Sequence, residues 1–77
     1  MLNLFADSGV TVYRADYDAN NNVIYEAWAD PGTATSAAGW AILRHTYVGI
    51  NRTVSEWCGG NQIRANVYDN RASLTYL

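Results

Sequence analysis

Turn-forming residues interrupt this chain so often that no stretch keeps a helical hydrophobic period for ten residues. The breaks fall at Asp18-Ala19-Asn20-Asn21-Asn22, Asp30-Pro31-Gly32, Gly49-Ile50-Asn51-Arg52, Gly59-Gly60-Asn61 and Asp69-Asn70-Arg71. Asn, Asp and Gly tolerate left-handed backbone angles, and Asn and Asp also bond their own main chain. Between the breaks lie short runs rich in β-branched and aromatic side chains, which favour strands. The sequence therefore predicts an all-β fold, a small antiparallel β-sandwich or barrel of about five to six strands.

The expected organisation is an N-terminal arm over residues 1–9 and a single β domain over residues 10–77. Strands are predicted over 10–17, 23–29, 40–48 and 53–58, with a further extended piece over 62–68 and a terminal strand over 72–77. Period-two alternation puts Trp40, Ile42, Arg44 and Thr46 on one face of the third strand. Ala41, Leu43, His45 and Tyr47 fall on the other. The small-residue run Thr33 to Gly39 reads as a close-packed loop.

At 77 residues the chain holds one domain. Such a domain buries only about 60% of the surface of its unfolded chain, so it needs a staple or a partner. One cysteine, Cys58, excludes an internal disulfide, and one histidine, His45, leaves too few ligands for a structural zinc. Association with other chains is the remaining device.

Composition points the same way. Charged residues make up 16% of the chain, against about 25% in typical soluble domains. Lysine is absent, and the five basic residues are Arg14, Arg44, Arg52, Arg64 and Arg71. Six Tyr and three Trp beside these arginines match the composition of protein interfaces. A net charge of −2 with no basic patch argues against nucleic acid. The opening Met1 to Asp7 reads as no signal peptide, and no apolar run is long enough to span a membrane.

Candidate chemistry is sparse. Cys58 and His45 form the only Cys–His pair, and a structural role is the better reading for both. Asp16, Asp18 and Asn20 are spaced like the first ligands of a calcium loop, but Asn21 and Ala27 then depart from that pattern. A polar hairpin turn accounts for them. Trp28, Trp40 and Trp57 are candidate rings of a ligand platform, with core packing as the competing explanation. No catalytic, cofactor or metal residue is assigned. Interface residues are expected at the termini: Leu2, Leu4, Phe5, Tyr76 and Leu77.

Two blocks carry a resemblance. The stretch Pro31-Gly32-Thr33-Ala34-Thr35-Ser36-Ala37-Ala38-Gly39-Trp40-Ala41-Ile42 is followed far downstream by Tyr68-Asp69-Asn70-Arg71-Ala72-Ser73-Leu74-Thr75-Tyr76. With Trp57-Cys58-Gly59-Gly60 between them, they resemble a family of short uncharacterised proteins from tailed bacteriophages. That family looks like PGTATSAAxWxI, then W-x-x-G, then WDxRASxxY; here Tyr68 stands where tryptophan is common. The resemblance spans residues 23–77, brings no catalytic residues and implies a virion role.

The resulting expectation is a non-enzymatic bacteriophage virion structural protein, either a capsid decoration or cement protein or a tail or tail-fibre component. Its partners would be major capsid or tail proteins and its own copies, and a trimer would suit local three-fold positions. It would be made in the bacterial host cytoplasm and reside in the virion. The alternatives are a carbohydrate-binding module for host-surface recognition and a small phage inhibitor of a host protein.

Overall fold

The computed structural model describes residues 11–77. The expected arm, with Leu2, Leu4 and Phe5, lies outside the described residues. The elements in order are β1 (Val12–Tyr17), β2 (Val23–Ala29), β3 (Ala38–Val48), β4 (Asn51–Trp57), the short β5 (Asn66–Val67) and a 3₁₀-helix (Tyr68–Ser73). The expected all-β, antiparallel class is what the structure has. The strands run in sequence order as a meander, β1-β2-β3-β4, and β5 pairs with the first residues of β3.

The turns behave as their residues dictate. In the β1–β2 connection the Asp18 Oδ1 accepts the main-chain N–H of Asn20 at 2.8 Å and of Asn22 at 3.0 Å. Asn21 takes the left-handed conformation there, with φ of 64°. The β3–β4 connection is tighter than expected. It is the two-residue turn Gly49-Ile50, with Gly49 at φ +63°, and Asn51 and Arg52 are already paired with β3.

The alternation of β3 separates the two faces as the sequence predicts. Ala27, Ala29, Trp40 and Ile42 are buried on the first face, together with Cys58, Tyr68 and Tyr76. Small Ala27 and Ala29 on β2 leave room for Trp40, which is 1% exposed. Its ring packs 5.5 Å from Tyr68, and its Nε1–H donates to the Ala34 carbonyl at 2.9 Å.

The second layer of the molecule is the C-terminal segment laid over this face. Two guanidinium groups stand over the Tyr68 ring, Arg71 at 4.3 Å and Arg14 at 5.4 Å from its centroid. Arg44 stands 4.6 Å over the Tyr76 ring, and the Tyr76 hydroxyl donates to the Arg71 carbonyl. Arg71 also donates to Asp16 on β1, at 3.0 Å.

Two expected strands are therefore corrected. The 62–68 piece bends at Arg64, where the Ala65 N–H donates to the Ile63 carbonyl, and is paired only at Asn66–Val67 before Tyr68 turns into the 3₁₀-helix. The 72–77 strand is absent: the 3₁₀-helix runs to Ser73, and only Tyr76 makes a bridge, to Cys58. The Gly59 N–H donates to the Thr75 carbonyl and the Leu77 N–H to the Trp57 carbonyl, which fixes the last residues beside the end of β4.

The two blocks that carry the resemblance meet in this fold. The Asp69 N–H donates to the Thr35 carbonyl at 3.0 Å, next to the Trp40–Tyr68 contact. Gly39 accounts for part of the small run: a Cβ there would lie 2.9 Å from the Thr33 methyl. These residues build the fold.

Candidate functional site: a relay and an aromatic row on the second face

The second face carries polar side chains that the first does not use. Strand register puts Glu26 opposite Leu43 and His45 opposite Ser55. From these positions Glu26, His45 and Ser55 join in a row across β2, β3 and β4. Ser55 Oγ lies 2.7 Å from His45 Nδ1, and Glu26 Oε1 lies 2.5 Å from His45 Nε2. On the far side the Tyr13 hydroxyl of β1 donates to Glu26 Oε2 at 2.6 Å. Four strands thus contribute one side chain each to a continuous hydrogen-bonded chain.

An irregularity in β4 creates the last link. Near the turn, Val48 faces Asn51 and Tyr47 faces Arg52. The register then shifts, so that Thr46 faces Val54 and His45 faces Ser55. Without the extra residue, Thr53, the hydrophobic Val54 would stand opposite His45. Bulges commonly re-aim a side chain in this way.

Electrostatics makes Glu26 an acceptor in this chain. Burial pushes the Glu26 carboxyl up, but the hydrogen bonds from Tyr13 and His45 and nearby positive charge, Arg52 included, outweigh it, so its pKa falls below the ordinary value. The phenol of Tyr13 is pushed up to about 12, by burial first and then by the Glu26 carboxylate. Glu26 is therefore the ionised acceptor of two hydrogen bonds. With a neutral imidazole, Nε2–H then donates to Glu26, and Nδ1 is left to accept the Ser55 hydroxyl. His45 is 5% exposed and held at both ring nitrogens, while Ser55 is exposed.

Beside the relay runs an aromatic row. Tyr13 lies 5.4 Å from Trp28, and Trp28 lies 5.5 Å from Trp57, in tilted contacts. Ala41, directly opposite Trp28, leaves space for this diagonal contact. Tyr13 keeps 49% of its surface exposed. Of the three rings considered for a ligand platform, the structure brings Trp28 and Trp57 together. Trp40 is removed from that set, since it is buried in the core of the opposite face.

Cys58 and His45 do not meet, because Cys58 belongs to the first-face core and donates its thiol to Asn66 Oδ1 at 3.3 Å. Burial also pushes that thiol up, which keeps it protonated and unreactive. Asp16 is paired with Arg71 and Asp18 closes its turn, so both carboxylates serve the fold. Tyr76 is 6% exposed within the core, which takes it out of the terminal interface set, whereas Leu77 is 70% exposed.

The Glu26–His45–Ser55 row was missed by reading along the chain. Its members are 19 and 10 residues apart; the β2–β3 register joins the first two, and the bulged β3–β4 register the last. Compared with protein-family models, with curated proteins and with solved structures, the chain matches none of them.

Proposed function

We propose that this protein is a bacteriophage virion structural protein, a capsid decoration or tail component, that works by binding other subunits. The observation that carries this reading is the amount of apolar surface left outside the core. Tyr17, Val48, Ile50, Val54, Ile63 and Leu77 are exposed, with Ile50 at 83% and Val48 at 68%. Val48, Ile50 and Val54 gather at the β3–β4 hairpin, whose strand β4 is also a sheet edge. Apolar surface collected in one region is what an association site requires. An edge strand adds main-chain donors and acceptors that a partner can pair with. The lysine-free composition supports the same reading, and the resemblance to tailed-phage proteins supplies the setting.

The partners are other virion subunits, capsid or tail proteins, and copies of this chain. Quantitative mass spectrometry on gradient-purified, salt-washed particles tests the reading. Copy number at the level of the major capsid protein assigns it to the shell, and copy number at the level of tail proteins assigns it to the tail. Absence from washed particles overturns the reading.

A second reading is favoured by one observation. The Tyr13–Trp28–Trp57 row, with one half-exposed ring, is a surface on which a sugar ring would stack. A glycan screen with Trp28→Ala as the control tests it. Binding that Trp28→Ala removes would support a carbohydrate-binding module, and a blank screen would end that reading.

A further inference from the structure

The relay on the second face has the form of a nucleophile, a base and an orienting acid in contact. Ser55 supplies a hydroxyl on an exposed residue of an edge strand. In the neutral imidazole whose Nε2–H donates to Glu26, His45 Nδ1, at 2.7 Å, presents a lone pair to it. Glu26 is fixed in turn by Tyr13. Nothing in the hydrophobic core requires this arrangement, because the core lies on the opposite face.

The backbone adds a further element. The Cys58 N–H donates to the Ile42 carbonyl, so these two form a hydrogen-bonded pair. Such pairs alternate along an antiparallel ladder. The register then makes Glu56 and Arg44 a hydrogen-bonded pair, and Ser55 and His45 a non-hydrogen-bonded one. Side chains approach most closely at non-hydrogen-bonded positions, which suits the short Ser55–His45 contact. The Ser55 N–H also points away from β3, toward the outer edge of the sheet. An outward main-chain N–H on the nucleophile's own residue is the kind of donor that stabilises an oxyanion.

We propose that Ser55 is an activated nucleophile, and that the Ser55–His45–Glu26 row transfers an acyl group from an aryl ester to water. The aryl class follows from the neighbouring rings. Trp57 is two residues from Ser55 on the same face of β4, about 7 Å along the strand. It continues into Trp28, so an aromatic leaving group has a surface to lie on while its carbonyl faces Ser55. Among the described residues no pocket encloses this site, and the ester is held on the open face.

In the first step Ser55 Oγ bonds to the carbonyl carbon and its proton passes to His45 Nδ1. The ester C–O bond breaks, and the aryl oxygen leaves with the bond's electron pair and takes the proton from His45. In the second step water attacks the acyl carbon, and His45 accepts its proton. The Ser55–acyl bond then breaks, and the proton returns to Ser55 Oγ. Glu26 and Tyr13 are positioning residues, since they act through His45.

A fluorophosphonate probe tests this on the full chain, because it traps an activated serine through loss of fluoride. The expected result is one adduct per folded chain, mapped to Ser55 by peptide mass spectrometry and absent in Ser55→Ala. His45→Gln is expected to slow labelling by about 100-fold or more. Glu26→Gln, which leaves the nucleophile and base in place, is expected to slow it by at least about 10-fold. Circular dichroism confirms that each variant is folded; if His45→Gln is not, Glu26→Gln decides. Failure of the folded protein to label at Ser55 overturns the proposal. Labelling that is equally fast in Glu26→Gln or in the urea-unfolded chain does the same. Chemistry at Ser55 needs no partner subunit, so it stands or falls apart from the virion reading.

Discussion

The two faces of the sheet are built on the same strands and use similar side chains to opposite ends. On the first face, Arg14, Arg44 and Arg71 stack on Tyr25, Tyr68 and Tyr76, and the chain's own C-terminal segment covers them. Asp16 and Glu56 complete ion pairs with Arg71 and Arg44. What these groups gain is the attachment of a lid that has almost no strand pairing of its own. On the second face the hydrogen bonds run from strand to strand, Tyr13 to Glu26 to His45 to Ser55, and end at an exposed hydroxyl. Tyr13, Trp28 and Trp57 line up beside them with their rings part open to solvent. The first face shows how a domain with one cysteine secures its core without a staple. The second shows where the chain keeps surface for something else.

The comparison predicts unequal responses to substitution. The largest effect is expected at Trp40. Trp40→Ala removes the largest fully buried side chain and the contact with Tyr68, and should cost about 3–5 kcal/mol in urea unfolding. For a domain this small that is most of its stability, so loss of the folded baseline in water is the expected outcome. A loss within about 0.5 kcal/mol would show that the first face is not the core.

Arg71→Met comes next. It keeps the aliphatic stem but removes the Asp16 pair and the cation over Tyr68 and Tyr25. A loss of about 1–2 kcal/mol is expected from these contacts. Hydrogen exchange should locate it in residues 68–77 and leave the β3–β4 hairpin protected as before.

Effects on the second face should be smaller and dependent on pH. Glu26 has a lowered pKa in the folded protein, so its contribution is present above the ordinary carboxylate value and is lost as pH falls through the folded one. Tyr13 behaves in the opposite sense. Its raised pKa contributes below about 10 and is lost as pH climbs from there to about 12. Tyr13→Phe should flatten the alkaline part of a stability-versus-pH curve, and Glu26→Gln the acid part. Unchanged curves in both variants would mean that the relay does not hold in solution.

The smallest stability change is expected at the hairpin tip. Ile50→Ser should alter folding free energy by no more than about 0.5 kcal/mol, since the side chain is exposed. It should nonetheless reduce retention on salt-washed particles if the tip is a docking surface.

Much of the first face was legible in the sequence. The β2 boundaries follow directly from Asn22 and Asp30, and the alternation of β3 assigns Trp40 and Ile42 to one side and His45 to the other. The C-terminal segment was not legible. Ala72 to Leu77 has strand-like residues, but Tyr68 and Arg71 are drawn into a 3₁₀-helix by Arg14, Trp40 and Asp16, none of which is local. The relay was hidden for a related reason. The Gly49 turn alone would set His45 against Val54, and only the extra residue at Thr53 brings Ser55 into place. A β-bulge leaves no reliable mark in a single sequence.

Oxidative footprinting of the aromatic residues, in the free protein and in assembled particles, tests the contrast between the faces most directly. The account predicts that Trp40, Tyr68 and Tyr76 resist oxidation in both states. Tyr13, Trp28 and Trp57 should react in the free protein. Equal reactivity of the two sets in the free protein would contradict it.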